Sequence, residues 1–339
     1  MARLRIGLMG LGMASAPHAK SLLDLKDRVE VAAAFSPTPA RRKTFSETYG
    51  FPSCDAAETI FGDPSIAAVM ILTPPNTHLE LVREAARAGK HVLLEKPLEV
   101  AWEKAEALVE TAERAGIKLG IVLQHRFRAV SEALAKLINE GRLGEVVSAS
   151  ARLHNWRPQS YYDQPGRGTR ARDGGGVLLT QAIHTLDLLV SFAGLPEEVT
   201  AYAATSKVHS METEDLAMAA IRFANGAIGS ISATTCAYPG YPDEIDIIGT
   251  RGMARLGGRS LAAFFHDGTE LLIEDEMAGG AGADPMAFPH HHHRAVLADF
   301  LDAVDAGREP RVNGREALKV HRLIKAILSA AESSQPQGL

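Results

Sequence analysis

The first 123 residues repeat one unit: a short apolar run, a turn, then a stretch of helical composition. The apolar runs cover residues 4–9, 29–35, 66–72, 91–94 and 117–123. Helical stretches lie between them at 14–26, from about Pro39, at 77–88 before Gly89, and at 101–115 before Gly116. A strand that is apolar throughout has no face to offer water, so these runs belong in a parallel sheet covered on both sides. The expectation is a doubly wound α/β domain of the Rossmann type over residues 1–123.

Beyond Gln124 the rhythm changes. A helix over 131–140 ends at Gly141, and strand patterns follow at 145–153, 199–205, 216–223, 227–235, 244–248 and 261–266. Asn225-Gly226 and Asp267-Gly268 are hairpin signals. A helix is expected from about Gly176 to Phe192, and two more at 294–305 and 315–331. Residues 124–339 therefore read as an α+β domain on a large, mostly antiparallel open sheet, with the C-terminal helix able to pack back on the first domain. Helices on one face leave the other bare, which predicts a homodimer or homotetramer formed through that sheet.

A chain of 339 residues carrying a net charge of −5 lacks the basic footprint of a nucleic-acid binder. Two cysteines, Cys54 and Cys236, form no disulfide framework and suit a reducing compartment. Met1-Ala2-Arg3-Leu4-Arg5 runs directly into a strand pattern, and no apolar run reaches the length of a membrane span. The expected setting is cytoplasmic, with neither nucleic acid nor membrane as partner.

The loop Gly7-Leu8-Met9-Gly10-Leu11-Gly12-Met13-Ala14-Ser15 joins the first strand to the first helix. Gly10 permits a tight turn, and Gly12 lets the backbone approach a pyrophosphate at the helix N-terminus, with Leu11 and Met13 alongside. Ser15 stands where Gly or Ala is usual. An acid ending the second strand would select NAD through its ribose hydroxyls, but the chain has Ser36, with Arg41 and Arg42 beyond. A hydroxyl and a guanidinium suit a 2′-phosphate, so the cofactor expected is NAD(P), leaning to NADP.

Glu95-Lys96-Pro97 ends the fourth strand, at the carboxyl edge where ligands of such sheets bind. Together with the glycine loop, Thr73-Pro74-Pro75-Asn76-Thr77-His78 and Gly89-Lys90-His91-Val92, it resembles the Gfo/Idh/MocA oxidoreductases, the glucose–fructose oxidoreductase and inositol dehydrogenase family. Further pieces of the resemblance are Gly141-Arg142-Leu143-Gly144-Glu145, Gly174-Gly175-Gly176, His184-Thr185-Leu186-Asp187 and Gly249-Thr250-Arg251-Gly252.

The resemblance implies hydride transfer between a nicotinamide and a hydroxyl-bearing carbon of a sugar, cyclitol, sugar acid or nucleotide sugar. It makes Lys96 the group that hydrogen-bonds the reacting hydroxyl, His184 the proton acceptor or donor, and Pro97 often cis. Thr73, Pro74, Asn76, His78 and Glu95 join Gly10, Leu11, Gly12, Met13, Ser36, Arg41 and Lys96 as expected cofactor-site residues. Thr180, His184 and Asp187, at i, i+4 and i+7, would share one helix face. Many relatives carry Asp at the position of Thr180, which puts the substrate class in question.

The long segment 155–173 holds Arg157, Arg167, Arg170 and Arg172 against only Asp163 and Asp173. Thr180, Arg157 and Arg170 are thus the expected substrate-binding residues, for a small polar substrate with an anionic group. The run His290, His291, His292 and His293 is read as an ordinary polar segment, because consecutive side chains do not converge readily on one metal. No metal is expected. Two other uses of such a chain stay open: a non-redox cofactor-binding sensor, and an enzyme that recycles a tightly held cofactor.

Overall fold

The computed structural model describes residues 3–275 and 289–339. The chain forms two compact units, residues 1–124 with 290–318, and residues 125–289 with 319–339. The first boundary falls where the sequence rhythm changes. The second differs from a simple split at 123/124, because a C-terminal stretch returns to the first unit.

In the first unit β1 (Leu4–Met9), α1 (Ser15–Asp24), β2 (Val29–Phe35), α2 (Pro39–Tyr49) and α3 (Glu58–Gly62) lead to β3 (Ala68–Ile71). Then come α4 (His78–Arg87), β4 (His91–Glu95), α5 (Trp102–Arg114) and β5 (Leu119–Val122). The strands form a parallel sheet in the order β2-β1-β3-β4-β5, and every residue of β3 and β5 is buried. That burial is the reason these strands carry no polar alternation.

The chain steps one way from β1 to β2 and the other way from β3 to β5. Right-handed crossovers then place α1 on one face and α4 and α5 on the other. The α1 face of β4 and β5 would be left bare by this winding. A later helix, α10 (His291–Ala306), covers it, packing on α1, β4 and β5. Phe300 is fully buried there, and a Cβ added to Gly120 would lie 2.9 Å from its ring.

The second unit contains α6 (Ala129–Asn139), β6 (Val146–His154), α7 (Gln159–Tyr162), α8 (Val177–Thr180), α9 (Ile183–Ala193) and β7 (Glu198–Ala204). They are followed by β8 (Leu216–Arg222), β9 (Ile228–Thr234), β10 (Glu244–Gly249), β11 (Gly252–Gly257), β12 (Ser260–Phe265) and β13 (Glu270–Glu274). The closing helix α11 (Gly314–Ser333) begins in the first unit and ends in the second, ahead of β14 (Gln337–Gly338).

Among the described residues nine strands form one sheet, β13-β12-β11-β10-β6-β9-β8-β7-β14, in which only the β6–β9 pair is parallel. β11 and β13 have no counterpart among the strand patterns of the sequence. The first lies inside a glycine-marked segment, and the second is five residues long with no buried position. Helices α6, α8 and α9 pack on β6, β8, β9, β10, β11 and β12. On the opposite face strict alternation leaves Tyr202, Met218, Ile228, Ile248, Phe264 and Leu272 exposed. No helix among the described residues is long and apolar enough to cross a membrane.

Candidate functional site

In the first unit the expected cofactor residues gather at the carboxyl ends of β1 and β3, where the winding reverses. Gly10 has φ 99°, and a Cβ there would lie 2.8 Å from the Leu72 carbonyl, so the close passage of the two loops requires glycine. A Cβ at Gly12 would meet nothing within 4 Å. Ser15 donates its hydroxyl to the Gly12 carbonyl at 2.7 Å, closing the first turn of α1. Among the described residues no protein acceptor takes the N–H groups of Leu11, Gly12 and Met13. Unclaimed N–H groups and open space at a helix N-terminus fit a dinucleotide pyrophosphate.

The second-strand end is narrower than the sequence implied. Ser36 is buried, and its Oγ faces the Thr38 N–H at 3.4 Å, so it shapes the turn and does not stand in the open as a ribose ligand. Arg42 donates to the Ser36 carbonyl at 2.7 Å and to Asp55 at 2.7 Å. Arg41 is exposed and pairs with nothing among the described residues. The second guanidinium is therefore committed to structure and the first is not.

His78 also departs from its expected role. It is buried, with Nε2 2.9 Å from the Thr73 carbonyl and Nδ1 3.1 Å from that of Pro97. Burial holds its pKa below the usual value. The ring ties the loop after β3 to the loop after β4, leaving neither nitrogen for a cofactor. Thr73 and Thr77 pair their hydroxyls at 2.7 Å, and Pro74 and Asn76 are exposed at the loop's rim.

Glu95 ends β4 and turns away from an open ligand role. Its Oε1 lies 2.7 Å from His18 Nε2, and its Oε2 accepts the Lys96 N–H at 3.0 Å. Burial raises its pKa, but His18, His293 and Lys96 outweigh that and hold the carboxyl below its ordinary range. The carboxylate thus orients the backbone of half-buried Lys96, and the Lys96-Pro97 peptide is cis.

In the second unit the expected single helix is two. α8 ends at Thr180 and α9 starts at Ile183, so Thr180 does not share a continuous face with His184 and Asp187. The start of α8 is fixed by Glu214, a residue that no local motif marks. Its carboxylate accepts the N–H groups of Gly176 at 3.0 Å and Leu178 at 3.1 Å, while its carbonyl accepts that of Val177 at 2.7 Å. A Cβ on Gly176 would lie 1.7 Å from the Glu214 carbonyl oxygen, so only glycine lets the chain pass. Burial pushes the Glu214 carboxyl up. Thr180 donates locally, its Oγ 2.6 Å from the Gly176 carbonyl and against the Gln181 side-chain oxygen.

His184 stands in the first turn of α9, 8% exposed, stacked on His125 with ring centroids 4.4 Å apart at 26°. Asp187, one turn on, receives a two-pronged pair from Arg126: Nε to Oδ2 at 2.8 Å and Nη2 to Oδ1 at 2.6 Å. Arg128 meets His125 Nε2 at 2.5 Å, and Thr185 donates to Asp243 at 2.9 Å. Sequence reasoning misses His125, Arg126, Arg128 and Asp243. Gln124-His125-Arg126-Phe127 lies in a 3-10 turn at the unit boundary, where helical or strand periodicity has nothing to report.

The arginine-rich segment is mostly self-contained. Arg167 bonds the Tyr161 hydroxyl at 2.6 Å and lies over that ring, and Arg172 donates to the Pro165 carbonyl at 3.1 Å. Arg157 donates to the Trp156 carbonyl at 2.9 Å and faces the Tyr161 ring. Arg170 alone is exposed without a side-chain partner among the described residues. The expected cluster of four guanidiniums thus reduces to one open group and the half-engaged Arg157.

Comparison with known proteins agrees with this architecture. Residues 4–122 match the oxidoreductase family with an NAD-binding Rossmann fold, and residues 131–255 match the GFO/IDH/MocA C-terminal domain. The chain is 29% identical over 311 residues to 1,5-anhydro-D-fructose reductase of Ensifer adhaerens, covering 90% of each. It is 28% identical over 325 residues to myo-inositol 2-dehydrogenase of Thermotoga maritima, covering 92% of each. Among solved structures it superposes on the WlbA dehydrogenase from Bordetella pertussis in complex with NADH and UDP-GlcNAcA. That match has a TM-score of 0.86 at 30% identity and covers 100% of this chain and 99% of the other. With both halves matched in order and over nearly full length, the chain belongs to the Gfo/Idh/MocA oxidoreductase family.

Proposed function

We propose that the protein is an NAD(P)-dependent dehydrogenase or reductase acting on a CH–OH group of a sugar, cyclitol, sugar acid or nucleotide sugar. The observation that carries the reading is the pair of prepared groups: Lys96, set by Glu95 at the end of β4, and His184, held against His125 on α9. When bound, the nicotinamide supplies the hydride acceptor or donor. In the oxidising direction the His184 imidazole takes the proton leaving the substrate oxygen. The Lys96 ammonium hydrogen-bonds the reacting hydroxyl, the role the family resemblance gives it, and stabilises developing negative charge. A sensor has no use for either group, and family membership favours the enzyme.

Gly10, Leu11, Gly12 and Met13 hold the pyrophosphate in this reading, and Arg41 favours the 2′-phosphate of NADP. Relatives of the family include both NAD and NADP enzymes, among them the two scyllo-inositol 2-dehydrogenases of Bacillus subtilis. Arg170 and Arg157 recognise an anionic substrate group, in keeping with the nucleotide sugar in the Bordetella pertussis complex. The six exposed apolar residues on the open sheet face pack against a second copy of the chain, giving a dimer or tetramer.

The deciding experiment follows NAD(P)H absorbance over a panel of sugars, sugar acids, cyclitols and nucleotide sugars. Turnover that drops roughly a hundredfold in Lys96→Ala and in His184→Ala, with cofactor affinity kept, supports the assignment. Cofactor binding without turnover on any member of the panel would favour the sensor instead. A cofactor that remains bound through purification would point to recycling.

A further inference from the structure

Neighbours in sequence do not surround one ion, which argues against a metal held by the four histidines at 290–293 alone. The fold changes the premise, since only His293 of the run is fully buried and its companions come from elsewhere. α10 lies beside α1 and β4, which brings His293 against His18 and Glu95. The rings of His18 and His293 meet edge to face with centroids 5.1 Å apart. One nitrogen from each histidine and one carboxylate oxygen of Glu95 all lie within 4.8 Å of one another. His18 is 1% exposed, His293 4%, and the Glu95 side chain 12%. Nδ1 of His18 is buried and meets no hydrogen-bond partner among the described residues.

We propose that His18, Glu95 and His293 bind a divalent cation of the zinc class, tying α10 to α1 and β4. Two imidazoles and one carboxylate are a borderline-soft donor set that zinc accepts, with a water completing four ligands. Ligands at zinc distance sit about 3.3 Å apart in a tetrahedron. His18 Nε2 and Glu95 Oε1, now 2.7 Å apart, need only part slightly. His293 closes the remaining gap with a side-chain shift on the order of an ångström.

The second cluster of metal-ligating side chains among the described residues makes the contrast. There Asp215 accepts from the Ser206 N–H at 2.7 Å and the Ser206 hydroxyl at 2.8 Å, and it faces His209 at 2.8 Å and the Cys236 thiol at 3.2 Å. The other nitrogen of His209 is 2.8 Å from the Arg157 carbonyl. In that network every ligand atom already has a hydrogen-bond partner, whereas Nδ1 of His18 meets none among the described residues.

The test needs no substrate. Chelator-treated full-length protein is titrated with Co²⁺ and followed by visible ligand-field absorption, then with Zn²⁺ in competition. The expected result is one saturating equivalent of Co²⁺ in a four-coordinate nitrogen–oxygen spectrum, abolished by one equivalent of Zn²⁺. His293→Gln and Glu95→Gln should each weaken binding at least tenfold, while the outer-run double variant His290→Ala/His291→Ala binds as before. Circular dichroism without metal checks that each variant folds; if His293→Gln does not, the near-isosteric Glu95→Gln decides. No saturable spectrum, or a spectrum lost in the double variant and kept in His293→Gln, overturns the site.

Discussion

Asp187→Asn isolates the interaction that holds α9. Asp187 is 1% exposed at its side chain and Arg126 is 10% exposed, so the pair belongs with buried ion pairs and not with surface ones. Surface pairs contribute about 0–1 kcal/mol. Removing one partner of a buried pair costs about 3–5 kcal/mol, because the guanidinium stays in a low-dielectric setting without its counter-charge. With a urea slope of about 3 kcal/mol/M, the midpoint should fall by roughly 1–1.7 M. Trp102 lies in the first unit and Trp156 in the second, so a Trp102→Phe background lets Trp156 fluorescence report the unit that carries the pair. Replacing both partners together, as Arg126→Met/Asp187→Leu, should cost less than Asp187→Asn alone, since no charge is then left buried. A midpoint shift below about 0.3 M at unchanged slope, or a double variant as damaged as the sum of the singles, would show that the pair is not what anchors α9.

The other expectations follow from single sites. Arg41→Ala should raise the Kd of NADPH roughly tenfold or more, as for a lost charge-assisted contact, and leave that of NADH within about twofold; equal effects would remove the 2′-phosphate role. Arg170→Ala should lower kcat/KM for an acid or phosphate substrate relative to its neutral counterpart, and an unchanged ratio at low and high salt would refute the anionic reading. His321 is buried, and burial alone pushes its pKa down to about 4. An unfolded histidine titrates near 6.5, so the unfolded state takes up the proton first as pH falls. Stability is then full above pH ~6.5 and lost as pH falls toward ~4, by an amount on the order of 3 kcal/mol. His321→Phe should flatten that part of the denaturation profile, and a slope equal to the parent's would sink the assignment.

What the sequence by itself determined is whatever a local pattern must express. Five apolar runs could only be strands buried on both faces, and the parallel sheet β2-β1-β3-β4-β5 is their consequence. Gly10 was legible because its φ of 99° and its approach to Leu72 tolerate no side chain, a requirement that belongs to the position itself. Asn225-Gly226 and Asp267-Gly268 marked the β8–β9 and β12–β13 hairpins for the same reason. The tertiary structure decided the partners. A histidine carries one apolar ring and two nitrogens wherever it stands, and only the packing turns His78 into a clasp between loops, stacks His125 on His184, and brings His293 from the far end of the chain to His18 and Glu95. Arg41 and Arg42 are indistinguishable as neighbours, yet Asp55 and the Ser36 carbonyl claim only the second. The break between Thr180 and His184 is likewise invisible locally, because residues 176–192 have unbroken helical composition; so is the anchor of α8, since Glu214, from another strand connection, takes the N–H groups of Gly176 and Leu178. Charges and hydrogen-bonding groups have many candidate partners in a chain of this length, and distance in the fold selects among them.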